Sequence, residues 1–154
     1  MPERHLTVQR HMAASAESVW TLLADFPNLA SHWSGLRSTS AIGDQTSGLG
    51  ARRHVELKPM GSMDEIVTAW EEGRRIDTEN QPSASVPFSQ AASSLRLEPE
   101  GEGTLATFDY RFLPRGGPLG RLTGPLIDRM LTSTFTDMLN ALEEAARGSG
   151  GGRS

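Results

Sequence analysis

The chain has 154 residues, no cysteine, and 15 basic against 19 acidic side chains, for a net charge of −4. That length suits one domain with a core that needs no staples, and the missing thiols exclude disulfides and thiolate catalysis. The acidic balance argues against a nucleic-acid partner, and with Lys58 as the only lysine the arginine bias reads as GC-rich coding rather than a phosphate-binding cluster.

Leu6 and Val8 alternate with Thr7, Gln9 and His11, which predicts an opening strand over residues 5–12. No apolar h-region is visible there, and no apolar run approaches the roughly 18 residues of a membrane span. A cytoplasmic location is the expectation. Ser15 is a good N-cap and Glu17 complements the helix dipole. Val19, Trp20, Leu22, Leu23 and Phe26 recur at helical spacing, so a helix is predicted over 16–24. Asp25-Phe26-Pro27-Asn28 breaks it, and Pro27 can begin a second short helix through Leu29, Ala30 and His32.

From Leu36 to Pro114 the pattern is strands and turns. Strands are predicted over 36–42, 51–58, 63–70, 74–80, 88–98 and 104–113. Loops fall at 43–50, 59–62, 71–73 and 81–86, with a hairpin turn at 99–103. Short connections imply antiparallel pairing. In the last strand Ala106, Phe108, Tyr110 and Phe112 share one face. A long amphipathic helix then runs from about Leu119 to Arg147, with Gly124-Pro125 expected to kink or split it. Residues 1–147 form the single expected domain, and the Gly-rich tail, 148–154, is expected to be disordered.

The phrase Ala13-Ala14-Ser15-Ala16-Glu17-Ser18-Val19-Trp20, the segment Asp25-Phe26-Pro27-Asn28-Leu29-Ala30-Ser31-His32-Trp33 and the hairpin Pro99-Glu100-Gly101-Glu102-Gly103-Thr104 occur in this order. Together they resemble the polyketide cyclase/dehydrase and lipid-transport family of the START-like (SRPBCC) superfamily, over about residues 4–147. The resemblance implies an α+β helix-grip fold. In it a seven-stranded curved antiparallel sheet wraps a long C-terminal helix, and two short helices follow strand 1. It also implies an elongated apolar cavity between sheet and helix that holds a lipid, sterol, polyketide or other hydrophobic small molecule. Some members cyclise or dehydrate aromatic polyketides. No catalytic motif is common to the family, so no catalytic residue carries over by position.

The residues themselves offer candidates. The wall of the expected cavity is drawn from Trp33, Arg53, Val55, Leu57, Trp70, Phe88, Phe108, Tyr110, Phe112, Leu122, Leu126 and Met130. Leu95 and Leu97 belong to the same inner face. Each of these also suits an ordinary core, since aromatics and methionine fill cores. On the last helix, Leu119, Leu122, Leu126 and Met130 are assigned to the cavity roof. Ile127, Leu131, Phe135, Met138 and Leu142 are assigned to tight core. Arg53 shares its strand parity with Val55 and Leu57; it points inward, toward a carboxylate, backbone carbonyls or an anionic ligand, or is solvated at a bulge near Gly50. His54 has the opposite parity.

Three side chains are candidates for chemistry: Arg53 and Tyr110 as polarising donors and His32 as acid or base. His32 also suits a helix cap, and Trp33 and Trp70 suit either a ligand lid or a helix–sheet wedge. No carboxylate pairs convincingly inside the expected cavity, and Glu98 and Asp109 are expected to face outward. The four histidines lack metal-ligand spacing, no nucleophile elbow occurs, and Gly101-x-Gly103-x-x-Ala106 leads into a strand rather than a helix. No cofactor or metal is expected. Carriage of a hydrophobic small molecule is the leading reading; a polyketide cyclase/dehydrase-like enzyme and a ligand-sensing interaction module are the alternatives. The antiparallel edge strands permit a homodimer.

Overall fold

The computed structural model describes residues 3–58, 60–115 and 118–151, with side chains described over the same ranges except 118–123 and 149–151. Strand β1 (Arg4–Met12) leads into α1 (Ala16–Ala24) and a 3-10 helix (Phe26–Ser31). Six strands follow: β2 (Leu36–Ile42), β3 (Arg52–Leu57), β4 (Ser62–Glu71), β5 (Arg75–Pro82), β6 (Phe88–Glu100) and β7 (Gly103–Pro114). Helix α2 (Pro118–Gly151) closes the order. The strands form one antiparallel sheet in the order β1-β7-β6-β5-β4-β3-β2. Among the described residues no helix is long and apolar enough to cross a membrane. The expected helix-grip arrangement is the one observed.

Local chemistry sets the boundaries. The Ser15 side chain accepts from the Ser18 backbone N–H at 3.1 Å, an N-cap that starts α1. Pro27 lies in the first turn of the 3-10 helix, where its missing donor costs nothing. Beside one-residue shifts at the ends of β1, β3 and β4, four differences from the sequence reading are larger. Strand β5 runs to Pro82, into the expected loop. Strands β6 and β7 pair up to Glu100 and Gly103, so the hairpin turn shrinks to Gly101-Glu102, with Gly101 at φ +62°. Helix α2 continues through Pro125 instead of splitting, because one missing donor is offset by packing beyond it and by the Arg4–Asp128 ion pair. The helix also extends to Gly151, through residues expected to begin the tail; residues 152–154 lie outside the described range.

Helix α2 is anchored at two further points, one on β1 and one just past its end. Arg10 pairs with Glu143, and Glu143 also accepts the Ala13 backbone N–H at 2.6 Å. Glu143 is buried, so the two donors compensate its lost hydration. This clamp holds the helix against the strand that opens the chain.

The convex face of the sheet is polar. His54 lies there between Asp64, 2.6 Å from Nδ1, and Glu56, 2.7 Å from Nε2. These hydrogen bonds, Asp64 first and Glu56 second, raise its pKa above the ordinary 6.5. A raised folded-state pKa means stabilisation that is present below pH 6.5 and lost as pH rises through the raised value. Thermal melts from pH 5.5 to pH 9, or about that window, are expected to show wild-type stability falling over this step. His54→Gln is expected to flatten it; an unchanged slope contradicts the assignment.

Candidate functional site

Alternation on β3 to β7 places every second side chain on the concave face, under α2. Between sheet and helix lies a cavity of about 530 Å³. Its walls are mostly apolar: Val55, Leu57, Met63, Ile76, Phe88, Leu95 and Phe108 from the sheet, and Leu22, Leu23, Leu29 and Trp33 from the helical end. From α2 come Met130, Leu131, Phe135, Met138 and Leu142. Met60, Ser85, Pro87 and Met130 line it and are exposed, so the cavity reaches the outside between the β3–β4 turn, the β5–β6 loop and α2.

The mouth is held by specific contacts. Gly61 has φ +97°, and a Cβ there would lie 2.9 Å from Val86 Cγ2. Only glycine lets the β3–β4 turn approach the β5–β6 loop this closely. Arg115 ties that loop to the end of β7, donating to Val86 O at 2.7 Å and Ser83 O at 2.9 Å. Beside the same turn, where Lys58 Nζ donates to Ser34 O at 2.7 Å, Trp33 folds over Gly35, and a Cβ there would sit 2.3 Å from the indole ring. Gly35 therefore permits the Trp33 position on the cavity wall.

One wall is polar. Arg53, Glu65 and Asn80 are successive cross-strand partners on β3, β4 and β5. Thr78, Ser93 and Tyr110 continue the row across β5, β6 and β7. All six line the cavity. Arg53 Nε donates to Glu65 Oε1 at 2.7 Å and Nη2 contacts the same oxygen at 2.6 Å. Arg53 Nη1 donates to Phe26 O at 2.9 Å, and the guanidinium lies 3.9 Å from the centre of the Phe26 ring. The cation is thus placed inward, against Glu65 and the Phe26 carbonyl, with no bulge turning it to solvent. It pins the 3-10 helix to the sheet.

Burial foremost, and the Glu65 charge second, push the Tyr110 phenol far above its ordinary pKa, so it remains a donor. Its ring stacks among Phe108, Phe135 and Phe88, with centroids 5.9, 4.7 and 6.1 Å away.

The sequence candidates therefore separate. Trp33, Arg53, Val55, Leu57, Phe88, Phe108, Tyr110 and Met130 lie on the cavity wall. Phe112 is buried against Phe88 and does not reach the cavity. Trp70 lies opposite Ile76 but is covered by Trp20, centroid to centroid 5.2 Å, and both indoles donate to Glu72. It is a wedge under α1. Leu126 is 63% exposed and outside the cavity. The side chain of Leu122 lies outside the described residues, as does that of Leu119. His32 caps the 3-10 helix through its backbone N–H to Leu29 O and is not on the wall.

The assignment of the α2 stripes is corrected. Leu131, Phe135, Met138 and Leu142, expected in tight core, face the cavity, and of the expected roof residues with described side chains only Met130 does. The α2 axis is set by the β1 clamps, which rotate the Leu131–Phe135 face over the sheet. Glu65, Thr78, Asn80 and Ser93 were not anticipated. Glu65 shares parity with Met63 and Val67, and Thr78 and Asn80 with Ile76, so alternation carried the signal. Among the described residues no group of three His, Asp or Glu side chains is arranged as a metal site.

A model of the polyketide cyclase / dehydrase and lipid transport family matches residues 3–147. Similar solved structures include a protein from Thermus thermophilus, 18% identical with a TM-score of 0.76, covering 95% of this chain and 99% of that one. A START superfamily protein from Mycobacterium smegmatis is 18% identical with a TM-score of 0.75, over 94% and 97%. The major latex-like protein 151 of Panax ginseng is 11% identical with a TM-score of 0.72, over 92% and 96%. At these identities the likeness is one of fold. No curated protein matches in sequence.

Proposed function

This chain belongs to the polyketide cyclase / dehydrase and lipid transport family, and from that premise we propose that its cavity binds a hydrophobic small molecule: a lipid, a polyketide or a similar aromatic compound. The observation that supports this reading is the apolar hollow of about 530 Å³ that reaches the surface beside Met60 and Met130. Its size falls within the roughly 300–1,000 Å³ typical of small-molecule sites. A folded protein rarely leaves such a volume unfilled in its core without a use for it.

Titration with N-phenylnaphthylamine, an apolar dye whose emission rises on leaving water, tests the reading. Wild type is expected to saturate at about one dye per chain, the stoichiometry of a single pocket. Leu95→Trp places an indole in the hollow and is expected to weaken dye binding at least about tenfold, the effect of losing roughly 1.4 kcal/mol of contact. Circular dichroism is expected to stay unchanged. Equal binding by both proteins contradicts the reading.

The polar row supports a second reading, an enzyme of the cyclase/dehydrase type acting on a poly-ketone in the same cavity. Here Tyr110 polarises a carbonyl, and Glu65, held by Arg53, takes the place in the cavity expected for His32 as the group that accepts a proton. Turnover of a linear poly-β-ketone by wild type, and its loss in Tyr110→Phe, distinguishes this reading from carriage alone.

A further inference from the structure

The hydroxyl and amide groups on the concave wall form a chain with one direction. Thr78 Oγ1 donates to Asn80 Oδ1 over 2.7 Å and lies 2.6 Å from Ser93 Oγ. A threonine hydroxyl has one proton. That proton is committed to Asn80, so Ser93 is the donor to Thr78. Both donors point the same way, from Ser93 through Thr78 to Asn80, on the wall beside Tyr110.

The Tyr110 hydroxyl proton has a poor destination. Tyr110 Oη has Met63 Sδ as its acceptor, at 3.8 Å, and a thioether sulfur accepts weakly. The side chain is 2% exposed and faces the cavity. A buried donor without a strong acceptor is unfavourable unless a ligand supplies one. Phe88, Phe108, Phe135 and Met63 around the phenol offer no strong acceptor for a proton brought by the ligand. Glu65, the nearby carboxylate, is engaged by Arg53 through Oε1. A group that accepts a hydrogen bond fits this position best.

We propose that Tyr110 sets the specificity of the cavity by donating to a carbonyl oxygen, so that the site takes an apolar ketone in preference to a hydrocarbon of the same shape. The inference rests on the cavity-binding reading above.

Fluorenone and fluorene are probes of nearly equal shape, differing by a carbonyl in place of a methylene. Calorimetric titration of the full chain is expected to give fluorenone an affinity about tenfold higher, the range of one buried hydrogen bond. Tyr110→Phe is expected to bind both equally, by weakening fluorenone and leaving fluorene unchanged. The infrared carbonyl stretch of bound fluorenone is expected at lower wavenumber in wild type than in Tyr110→Phe. Equal wild-type affinities with an unshifted stretch overturn the proposal while leaving the cavity reading intact. Failure of both probes to bind overturns the two together. Read against fluorenone in hexane, the wild-type stretch decides the matter even if a variant does not fold.

Discussion

Arg53→Met is expected to lower the unfolding free energy by about 3–5 kcal/mol, the cost of stranding one member of a buried ion pair. The partner left behind, Glu65, is 8% exposed, and Arg53 supplies both of its contacts on Oε1. The variant also frees Phe26 O, which accepts from Arg53 at 2.9 Å, and uncovers the Phe26 ring. The loss therefore reaches the 3-10 helix as well as the sheet. Replacing both partners, Arg53→Met with Glu65→Leu, is expected to recover most of it, since apolar groups of similar volume remove the charge that needed a partner. Urea denaturation of the single and double variants checks this. A single variant within about 1 kcal/mol of wild type, the range of an exposed pair, contradicts the burial argument.

Phe135→Ala carries the second large effect. Its ring lies 4.6 Å from Phe108 and 4.7 Å from Tyr110, centroid to centroid, and is 8% exposed. Removing it breaks the bridge between α2 and β7 and is expected to cost about 3–5 kcal/mol. The same change enlarges the hollow, so bulkier apolar ligands are expected to gain affinity relative to small ones. Leu126→Ala is the control: at 63% exposure its loss is expected to stay within about 0.5 kcal/mol. Equal losses for the two variants contradict the assignment of the helix faces.

The contrast between these two residues marks what a sequence reading reaches. Period-two alternation located Phe108 and Tyr110 on one face, and β2 and α1 occupy the predicted spans. The same parity turned Arg53 inward with Val55. The helix was harder because α2 carries two apolar stripes about one residue, or roughly 100°, apart. Periodicity says that both are apolar and nothing about which one the sheet covers. That choice is made by Arg4–Asp128 and Arg10–Glu143, contacts between residues more than a hundred positions apart.

Trp70 shows a different limit. A register shift between Val67 and Ala69 reverses the parity of β4. Trp70 is thereby placed opposite Ile76 at the end of the sheet that Trp20 covers. Nothing in the local pattern marks that bulge. The polar row was hidden for the opposite reason: its parity was readable, but Glu65, Thr78, Asn80 and Ser93 are residue types ordinarily assigned to the solvent side. Their inward placement is tolerated because each is hydrogen-bonded, across strands for Glu65, Thr78 and Ser93 and along β5 for Asn80.

The functional account depends on one geometric statement: the Leu131–Phe135–Met138–Leu142 face of α2 looks onto a hollow that outside molecules can enter. Methyl NMR during titration with N-phenylnaphthylamine tests it most directly. The account predicts saturable shifts at Val55, Leu95, Leu131 and Met138, with contacts from dye protons to the same methyls. Shifts confined to the exposed Leu49 and Leu126, or none at all, contradict it.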